Sequence, residues 1–450
     1  MSLIGSKGNE RDKEGVIEMI NVGILGFGTV GSGTAKILLE NRDVLKERVG
    51  FEINLKRIAD LDITRDRGIK VPEGVLTTDA DLVMSDPDIH IVVELMGGIR
   101  PAKDFILKAI RNGKHVVTAN KALLATEGTD IFDAASKVGV EVGFEAAVAG
   151  AIPIIKVMRE SLVANRIKAV YGIINGTCNY ILTKMTNEDV EFADALKEAQ
   201  KLGYAEADPT LDIEGIDSAH KLTLLATLAY GIPLSFDQLH IEGISRISSL
   251  DIGFAAEFGY KVKLLAITKQ SDGEIELRVH PTMIPKDYLI SKVDGPFNAV
   301  YVDGDATGST LYYGRGAGSI PTGSAVVGDI VDIARNIRMN AVGRVPIPTK
   351  ISSGARIKKI DDIVSMYYFR FSALDKPGVL SKISGILGNY NISIASVIQK
   401  GRRVGEAVPL VVLSHEAKER DVRKAIEEID QLPVVMGKTV FIRVEGKKED

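Results

Sequence analysis

The apolar positions between Met19 and Phe144 alternate between strand-like runs and helical periods. The predicted strands are Ile20–Leu25, Phe51–Ala59, Ile89–Leu95, Lys114–Ala119 and Val140–Phe144, and the predicted helices include Ala102–Asn112 and Thr129–Val138. Strands that alternate with helices in this way form a parallel sheet with helices on both faces. The pattern therefore predicts one α/β domain over residues 19–150, with a doubly wound sheet.

Beyond Gly150 the pattern becomes mixed, and residues 151–317 are predicted to form an α+β unit. Its predicted helices are Pro153–Val163, Asn179–Met185, Val190–Leu202 and Ile216–Tyr230, and its predicted strands are Ile167–Ile174, Lys261–Thr268, Glu274–Val279, Ala299–Val302 and Ser309–Tyr313. The carboxylate-rich stretch Gly203–Glu214 is predicted to be a loop. A further helix, Ser324–Arg338, lies in the segment 318–340 that we expect to complete the first domain.

The C-terminal part of the chain has a compact layout of its own. Residues 341–364 contain prolines and glycines with little periodicity, which is typical of a linker. Over residues 365–447 the predicted order is strand Met366–Leu374, helix Val379–Tyr390, strands Ile392–Gln399 and Ala407–Ser414, helix Ala417–Asp430 and strand Thr439–Val444. This βαββαβ order predicts an independent small domain of ferredoxin-like type.

Composition narrows the classes of function. The 450 residues carry 56 Lys and Arg against 60 Asp and Glu, and the net charge of −4 gives no basis for binding nucleic acid. The longest apolar stretch, Gly143–Val157, is shorter than the roughly 20 residues of a membrane-spanning helix. The single cysteine excludes an internal disulfide and fits a reducing compartment, so we expect a cytoplasmic protein. The polar residues 1–18 are predicted to be a disordered tail.

A glycine-rich motif, Gly26-Phe27-Gly28-Thr29-Val30-Gly31, connects the first predicted strand to a helical pattern. Glycines at these three positions permit a tight turn, close approach of a pyrophosphate to the backbone, and close packing of helix against strand. The helix that follows offers free N–H groups and the positive end of its dipole. The motif predicts a Rossmann-type dinucleotide-binding domain; a glycine-rich turn in another kind of α/β protein is the alternative.

The end of the second predicted strand does not choose between NAD and NADP. Asp60 could accept a hydrogen bond from a ribose 2′-hydroxyl, which favours NAD, although it lies 29 residues after Gly31 rather than the usual ~20. Four basic side chains of the same stretch could instead surround a 2′-phosphate. They are Arg57, Arg65, Arg67 and Lys70. Both cofactors remain open.

Two lysines are candidates for chemistry. Lys121 follows the predicted strand Lys114–Ala119, and ligands of such folds bind at the carboxyl ends of the strands. A lysine in a surface loop is the alternative. Lys221 lies four residues after Asp217 and on the same face of the helix Ile216–Tyr230. This pair could be an ordinary ion pair on a helix surface, or it could hold a partly buried lysine that donates a proton.

His220 and Cys178 are weaker candidates. His220 adjoins Lys221 but points about 100° away around the helix, which favours a structural role. Cys178 could be a thiolate nucleophile at a helix start. A small buried residue is the simpler interpretation, because no histidine lies near it in the sequence. The sequence shows no cluster of His, Cys and Asp at transition-metal spacing.

Several motifs together resemble the homoserine dehydrogenase family. Besides the glycine motif they are Thr118-Ala119-Asn120-Lys121, Gly143-Phe144-Glu145-Ala146-Ala147-Val148-Ala149-Gly150, Asn175-Gly176-Thr177-Cys178-Asn179-Tyr180, Leu202-Gly203-Tyr204-Ala205-Glu206-Ala207-Asp208-Pro209, Asp217-Ser218-Ala219-His220-Lys221 and Gly316-Ala317-Gly318. They occur in the family's order, roughly over Ile20–Ile337. The C-terminal block resembles an ACT domain, a regulatory module that binds amino acids.

The resemblance implies the reversible reduction of L-aspartate 4-semialdehyde to L-homoserine with NADH or NADPH. It implies that Lys221 is the proton donor, that Lys121 lies beside substrate and nicotinamide, and that Asp217 orients Lys221. The implied substrate-binding residues are Gly176, Thr177, Tyr204, Glu206 and Asp212. Together with Asp60, the expected cofactor-binding residues are Gly26, Phe27, Gly28, Thr29, Val30, Gly31, Thr118, Lys121 and Gly318. The family's frequent arginine after the second strand is Ala59 here, which argues against a strict NADP preference.

The resemblance also implies an ion, an effector and an assembly. A monovalent cation, usually sodium, is expected at Glu145, Val148, Gly150 and Ile152. The turn Asp375-Lys376-Pro377-Gly378 lies at a predicted strand–helix junction, where N–H groups can take an amino-acid carboxylate. Threonine, a pathway end product, is the first effector we expect, and a role in dimerisation alone is the alternative. We expect a homodimer or a homotetramer.

Two other functions are compatible with the motifs. A phosphorylating semialdehyde dehydrogenase would need Cys178 as an acylating thiolate. A non-catalytic sensor would use the dinucleotide-binding domain to report redox state to the ACT-like module. The carboxylates of Glu206–Asp212 and the amine of Lys221 favour an enzyme, because a sensor needs no proton donor beside its cofactor.

Overall fold

The computed structural model describes residues 18–232, 236–346, 356–400 and 406–446. Residues 1–17 of the predicted tail, residues 347–355 of the predicted linker and the end of the predicted C-terminal domain at 447 lie outside these ranges. The described residues include no helix that is long and apolar enough to cross a membrane.

Six strands form the first sheet. They are β1 Met19–Leu25, β2 Glu52–Ala59, β3 Leu76–Thr77, β4 Ile91–Glu94, β5 His115–Thr118 and β6 Val142–Gly143. Their pairings are parallel and their order is 3-2-1-4-5-6, the Rossmann order. The helices between them are α1 Thr29–Glu40, α2 Arg42–Val49, α3 Asp81–Met84, α4 Ala102–Arg111 and α5 Lys121–Val138. The predicted doubly wound sheet is confirmed.

The second unit is α+β, as predicted. Its helices, with the one that follows it, are α6 Ile154–Lys156, α7 Gly176–Glu188, α8 Phe192–Lys201, α9 Thr210–Ile213, α10 Ile216–Tyr230, α11 Ser249–Glu257 and α12 Ser319–Arg338. Its strands are β7 Ile167–Ile173, β8 His240–Ile241, β9 Tyr260–Ser271, β10 Glu274–Pro285, β11 Phe297–Gly304 and β12 Gly308–Arg315. The order β12–β11–β7–β9–β10 is antiparallel throughout, and helices α7, α10 and α11 pack on β9.

Helix α12 belongs to the core of the first sheet. Its Val326 and Ile330 lie in one apolar cluster with Ile20 of β1. The helix begins at Ser319, five residues before the predicted start at Ser324. The apolar periodicity does not reveal this first turn. It contains Pro321, which is tolerated there because the N–H groups of a first helical turn have no partner within the helix.

The C-terminal domain has the predicted ferredoxin-like topology. Its strands, with a preceding short one, are β13 Arg356–Ile357, β14 Val364–Leu374, β15 Ile394–Gln399, β16 Ala407–Ser414, β17 Ala417–Lys418 and β18 Val440–Val444. Its helices are α13 Val379–Asn389 and α14 Glu419–Ile429. The four long strands pair antiparallel in the order β18–β14–β16–β15.

The prediction that this domain is independent is wrong. Strand β18 pairs in parallel with β10, so one continuous sheet runs from the second unit into the C-terminal domain. Arg443 of β18 is 1% exposed and forms ion pairs with Glu419 of its own domain and Glu242 of the second unit. A buried guanidinium needs such partners, which makes the junction specific. Pairing between strands so far apart in sequence leaves no local signal.

Local hydrogen bonds explain the helices that periodicity misplaced or missed. Helix α5 begins at Lys121 rather than Thr129, because Asn120 Oδ1 accepts the N–H of Leu123 and caps it. The predicted loop Gly203–Glu214 contains α9, and Asp208 Oδ1 accepts both the N–H and the hydroxyl of Thr210 at its start. The unpredicted α11 begins with a capping box between Ser248 and Asp251. The predicted helix Pro153–Val163 continues after α6 as a π-helical turn.

Candidate active site

A buried carboxylate, Asp217, lies at the centre of the candidate site. It is in the first turn of α10 and is 6% exposed. Its Oδ2 is 2.7 Å from Nζ of Lys221, one helical turn later, and its Oδ1 is 3.1 Å from Nζ of Lys121. Lys121 begins α5 just after β5, at the carboxyl edge of the first sheet. One carboxylate therefore joins the second unit to the edge where dinucleotide-binding sheets hold their ligands.

The amine of Lys221 is held on two sides. Its side chain is 11% exposed, and Nζ donates hydrogen bonds of 2.7 Å to Asp217 and to the carbonyl of Ile174, just after β7. An ammonium group has three N–H donors, so a third N–H remains for another oxygen. This enclosure excludes the interpretation of Lys221 as half of an ordinary surface ion pair.

The two lysines differ in their electrostatics. Burial lowers the pKa of Lys221 below its ordinary value, and the negative charge of Asp217 opposes that effect. The charge of Asp217 raises the pKa of Lys121, against the effect of burial. Burial also favours the neutral form of Asp217, but the ammonium groups of Lys221 and Lys121 outweigh it and hold the pKa of this carboxyl well below its ordinary value. The pKa of Lys121 therefore lies above the ordinary lysine value, and the pKa of Lys221 lies below it.

Asn175, which the sequence did not single out, connects this group to the acidic segment. Its Nδ2 is 2.9 Å from Asp217 Oδ2 and 2.7 Å from Asp212 Oδ1. Its Oδ1 accepts the N–H of Cys178 and so caps α7. Burial raises the pKa of Asp212, which the hydrogen bond from Asn175 opposes and the nearby charge of Asp217 supports. An asparagine directly before a helix is usually interpreted as a cap. The sequence therefore gave no indication that Asn175 also donates hydrogen bonds to Asp212 and Asp217.

The remaining candidate substrate residues surround the start of α7. Thr177 Oγ1 donates a 2.5 Å hydrogen bond to the carbonyl of Tyr204. The Tyr204 ring packs on Tyr180 with ring centroids 4.8 Å apart. Glu206 is exposed, and its charge contributes to raising the pKa of Lys121. Asp212, Glu206 and Tyr204 therefore form a partly exposed acidic surface, called here the acidic wall, next to the two lysines.

The glycine loop between β1 and α1 has the steric features of a dinucleotide turn. Gly26 has φ of +98°, and a Cβ there would lie 2.7 Å from the carbonyl oxygen of Leu95. A Cβ at Gly31 would lie 2.1 Å from the carbonyl oxygen of Gly26. Among the described residues nothing lies within 4 Å of a Cβ at Gly28, so that side of the loop is open to a ligand.

Asp60 lies at the end of β2 and faces this loop. Its carboxylate accepts the N–H of Phe27. It is also 3.6 Å from the guanidinium of Arg67, which covers the Phe27 ring at 4.8 Å from the ring centroid. A group that can accept from a ribose hydroxyl and a cation that can bind a 2′-phosphate therefore lie side by side.

Glu94 is a second residue that the sequence analysis missed. It ends β4, is fully buried, and accepts hydrogen bonds from the Thr118 hydroxyl at 2.7 Å and from the Met96 N–H at 2.9 Å. Thr118, an expected cofactor-binding residue, thus joins the ends of β4 and β5. The sequence feature that could have indicated Glu94 is a carboxylate at the end of a buried strand.

The loop of residues 145–152 was expected to hold a cation. The two oxygens of the Glu145 carboxylate accept the N–H groups of Ile155 and Lys156 at 2.8 Å, so this side chain caps α6. Gly150 adopts a left-handed conformation with φ of +57°. Main-chain carbonyls are ligands that hard cations prefer, and a monovalent ion at this loop would have to be held by them. Among the described residues, no three His, Cys, Asp or Glu side chains could hold a metal ion together.

The turn expected to bind an effector lies at the junction of β14 and α13. Lys376, Pro377 and Gly378 are exposed, and Gly378 has φ of +84° directly before the helix. The N–H of Asp375 donates to the carbonyl of Glu406 at 2.9 Å, which ties the turn to the neighbouring strand β16. The first N–H groups of α13 therefore face an exposed turn.

Cys178 and His220 have structural environments. Cys178 is fully buried, with Sγ 3.1 Å from the carbonyl oxygen of Asp212, and burial raises the pKa of its thiol well above the ordinary value. The His220 ring packs on Phe236 with centroids 4.6 Å apart, and burial lowers its pKa. A thiol held in this form is a poor nucleophile, which argues against an acylating cysteine.

Three protein-family models match this chain. The model described as "Homoserine dehydrogenase" matches residues 153–331, and "Homoserine dehydrogenase, NAD binding domain" matches residues 26–145. The model described as "ACT domain" matches residues 367–434.

Individual proteins are similar over nearly the whole chain. The homoserine dehydrogenase of Neisseria gonorrhoeae is 48% identical over 95% of this chain and 99% of its own length. A solved homoserine dehydrogenase from Thiobacillus denitrificans is 49% identical with a TM-score of 0.90, over 95% of this chain and 98% of that one. A hyperthermophilic archaeal homoserine dehydrogenase mutant, solved in complex with NADPH, is 27% identical with a TM-score of 0.60, over 70% and 98%.

The burial of Cys178 predicts that the native protein resists thiol alkylation. Iodoacetamide at pH 8 should leave the folded chain unmodified over an hour, whereas the chain unfolded in urea should gain one adduct, because the sequence has one cysteine. Intact-mass spectrometry checks both states. Rapid, stoichiometric modification of the folded chain would contradict the structural role assigned to this thiol.

Proposed function

Because the chain belongs to the homoserine dehydrogenase family and has that enzyme's activity, we propose that Lys221 is the proton donor of the reaction. The family resemblance that the motifs indicated is confirmed, as are the nicotinamide-binding and ACT domains. The observation that supports the proposal is the Lys221 amine, which is fixed by Asp217 and Ile174 and retains an N–H for substrate.

The proposed roles of the two lysines follow from the charge that develops during reduction. When bound, the nicotinamide supplies the hydride to the aldehyde carbon. Negative charge then grows on the aldehyde oxygen, and the third N–H of Lys221 donates to that oxygen and transfers the proton. Lys121, whose pKa is raised by Asp217, remains an ammonium and stabilises the same charge. Asp217 orients both amines.

We propose that the acidic wall recognises the amino-acid end of the substrate. The carboxylates of Asp212 and Glu206 pair with the α-ammonium group, and Tyr204 lies beside them. The first N–H groups of α7, at Gly176 and Thr177, donate hydrogen bonds to the α-carboxylate at the positive end of the helix dipole. Aldehydes without the ammonium group would leave Asp212 without its partner and would bind poorly.

We propose that either dinucleotide can serve as cofactor. Asp60 accepts from the ribose 2′-hydroxyl of NAD, and the adjacent Arg67 binds the 2′-phosphate of NADP. The NADPH found in the archaeal relative supports the second option.

A sodium ion bound by the carbonyls of residues 145–152 would stiffen the loop. The cytoplasmic location, the homodimer or homotetramer, and the predicted domain boundaries stay predictions.

We propose that threonine regulates the enzyme through the C-terminal domain. The exposed turn before α13 offers N–H groups to the threonine carboxylate. The domain is hydrogen-bonded to the second unit through β18 and β10. A change in its packing would therefore be transmitted through this sheet to β7, which is followed by Ile174.

Replacing Lys221 with alanine should lower kcat for semialdehyde reduction by at least ~100-fold, because the proton donor is lost. The dissociation constants of NADH and NADPH should stay within about twofold. Steady-state rates and cofactor fluorescence titrations check this with both dinucleotides. Lys184→Ala is the matched control, because Lys184 also pairs with a carboxylate four residues away, Glu188, and is not part of the proposed site. Near wild-type turnover of Lys221→Ala would remove Lys221 from the mechanism.

Threonine titration should raise the melting temperature and change the initial rate of homoserine oxidation, with glycine as the control ligand. Lys376→Glu should reduce both responses, since an added carboxylate repels the ligand's own. Lys382→Glu introduces the same charge at another exposed position, on α13, and should leave both responses to threonine unchanged. If threonine changes neither quantity in the wild type, the domain has only an assembly role.

A further inference from the structure

Asn298, near the start of β11, carries a buried amide without hydrogen bonds. The residue is 1% exposed, and neither Oδ1 nor Nδ2 has a partner among the described residues. The neighbouring buried asparagines differ: Asn175 and Asn179 use both amide atoms. An unpaired buried amide destabilises a protein, so its presence calls for a functional explanation.

The amide lies where the substrate site meets a second glycine turn. A Cβ at Gly316 would lie 2.0 Å from Nδ2 of Asn298, and a Cβ at Gly176 would lie 3.6 Å from its Oδ1. Gly176 begins α7 beside the candidate substrate residues. Gly316 begins the turn Gly316–Gly318, which leads into α12. At position 316 only a residue without a side chain can pass so close to the amide.

This turn is hydrogen-bonded at its two ends. The carbonyl before it, of Arg315, accepts the N–H of Ala151 at 3.0 Å, and the carbonyl of Gly318 accepts the N–H of Thr322 at 3.0 Å. The start of α12 rests on α1, because a Cβ at Gly33 would lie 2.1 Å from the carbonyl oxygen of Ser319. The turn therefore connects the amide of Asn298 to the helix that follows the dinucleotide loop.

We propose that Asn298 is a positioning residue whose amide hydrogen-bonds the backbone of the Gly316–Gly318 turn when the dinucleotide binds. The inference rests on the cofactor of the proposed function and adds a residue to it. A backbone peptide presents one N–H and one C=O, which complement the acceptor and donor of the amide. Both amide atoms are buried and Gly316 lies directly against them, so a shift of this turn would bring its peptide groups into reach.

The amide of Asn298 then affects the free protein and the dinucleotide complex differently. In the free protein the amide is unpaired and adds no stability. In the complex it fixes the turn against α1, and cofactor affinity gains from bonds that the free protein lacks. Replacing the amide should therefore weaken cofactor binding without weakening the free fold.

Asn298→Val and Asn298→Thr test this directly in the full chain. Both side chains are β-branched and suit a strand, and they differ by a hydroxyl that can donate and accept. Fluorescence titration should show that valine raises the dissociation constants of NADH and NADPH roughly tenfold, the scale of one or two hydrogen bonds, and that threonine recovers part of the loss. The melting temperature of the free valine variant should not fall.

Asn179→Ala is the control for losing an amide that is already bonded. Nδ2 of Asn179 donates to the carbonyls of Val293 at 3.0 Å and Phe297 at 3.1 Å, and the residue is also 1% exposed. This variant should lower the melting temperature of the free protein and leave the dinucleotide dissociation constants within about twofold.

Three results would overturn the proposal. One is wild-type cofactor affinity in Asn298→Val, and another is a fall in its free-protein melting temperature as large as that of Asn179→Ala. The third is a rise in KM for homoserine with unchanged cofactor affinity, which would assign the amide to the substrate. A wild-type chain that does not oxidise homoserine would instead contradict the proposed function.

Discussion

The fold of the candidate site depends on one shared carboxylate. Asp217 is buried between an amine from the edge of the first sheet and an amine from its own helix, and both ion pairs are short. The buried pair is Asp217 with Lys221, and breaking a buried ion pair by removing one partner costs about 3–5 kcal/mol. The two units are therefore held in one relative position at the point where chemistry is proposed. The same carboxylate opposes the lowering of the Lys221 pKa that burial causes.

Residues at the ends of the surrounding helices and strands hold this carboxylate and its two amine partners in place. Asn120 starts α5 so that Lys121 is its first residue, and Asn175 both caps α7 and donates to Asp217. The carbonyl of Ile174 holds Lys221 from the end of β7. Because β7 belongs to the sheet that continues through β10 into β18, the amine is attached to the same hydrogen-bonded layer as the regulatory domain. This continuous sheet is the physical connection through which the proposed effector would act on the site.

The sequence predicts what short-range patterns encode. Alternating apolar runs gave the first sheet, and the glycine motif gave its ligand-binding turn, because sterics at Gly26 and Gly31 allow no other residue. Motif resemblance identified Lys221, Asp217 and Lys121 as a group. Periodicity did not reveal the parallel pairing of β10 with β18, the roles of Glu94 and Asn175, or the unpaired amide of Asn298. Each of these depends on contacts between residues distant in sequence, and the corresponding residue types have ordinary explanations in a single sequence.

The pH dependence of Asp217→Asn tests the central claim most directly. In the proposed mechanism reduction needs the protonated form of Lys221, so activity should be lost as the pH rises through the pKa of that amine. Without the carboxylate, burial and the charge of Lys121 lower this pKa further, so the alkaline limb of kcat should move to lower pH. An alkaline limb that stays in place, or moves to higher pH, would contradict the account of a carboxylate that keeps the donor charged.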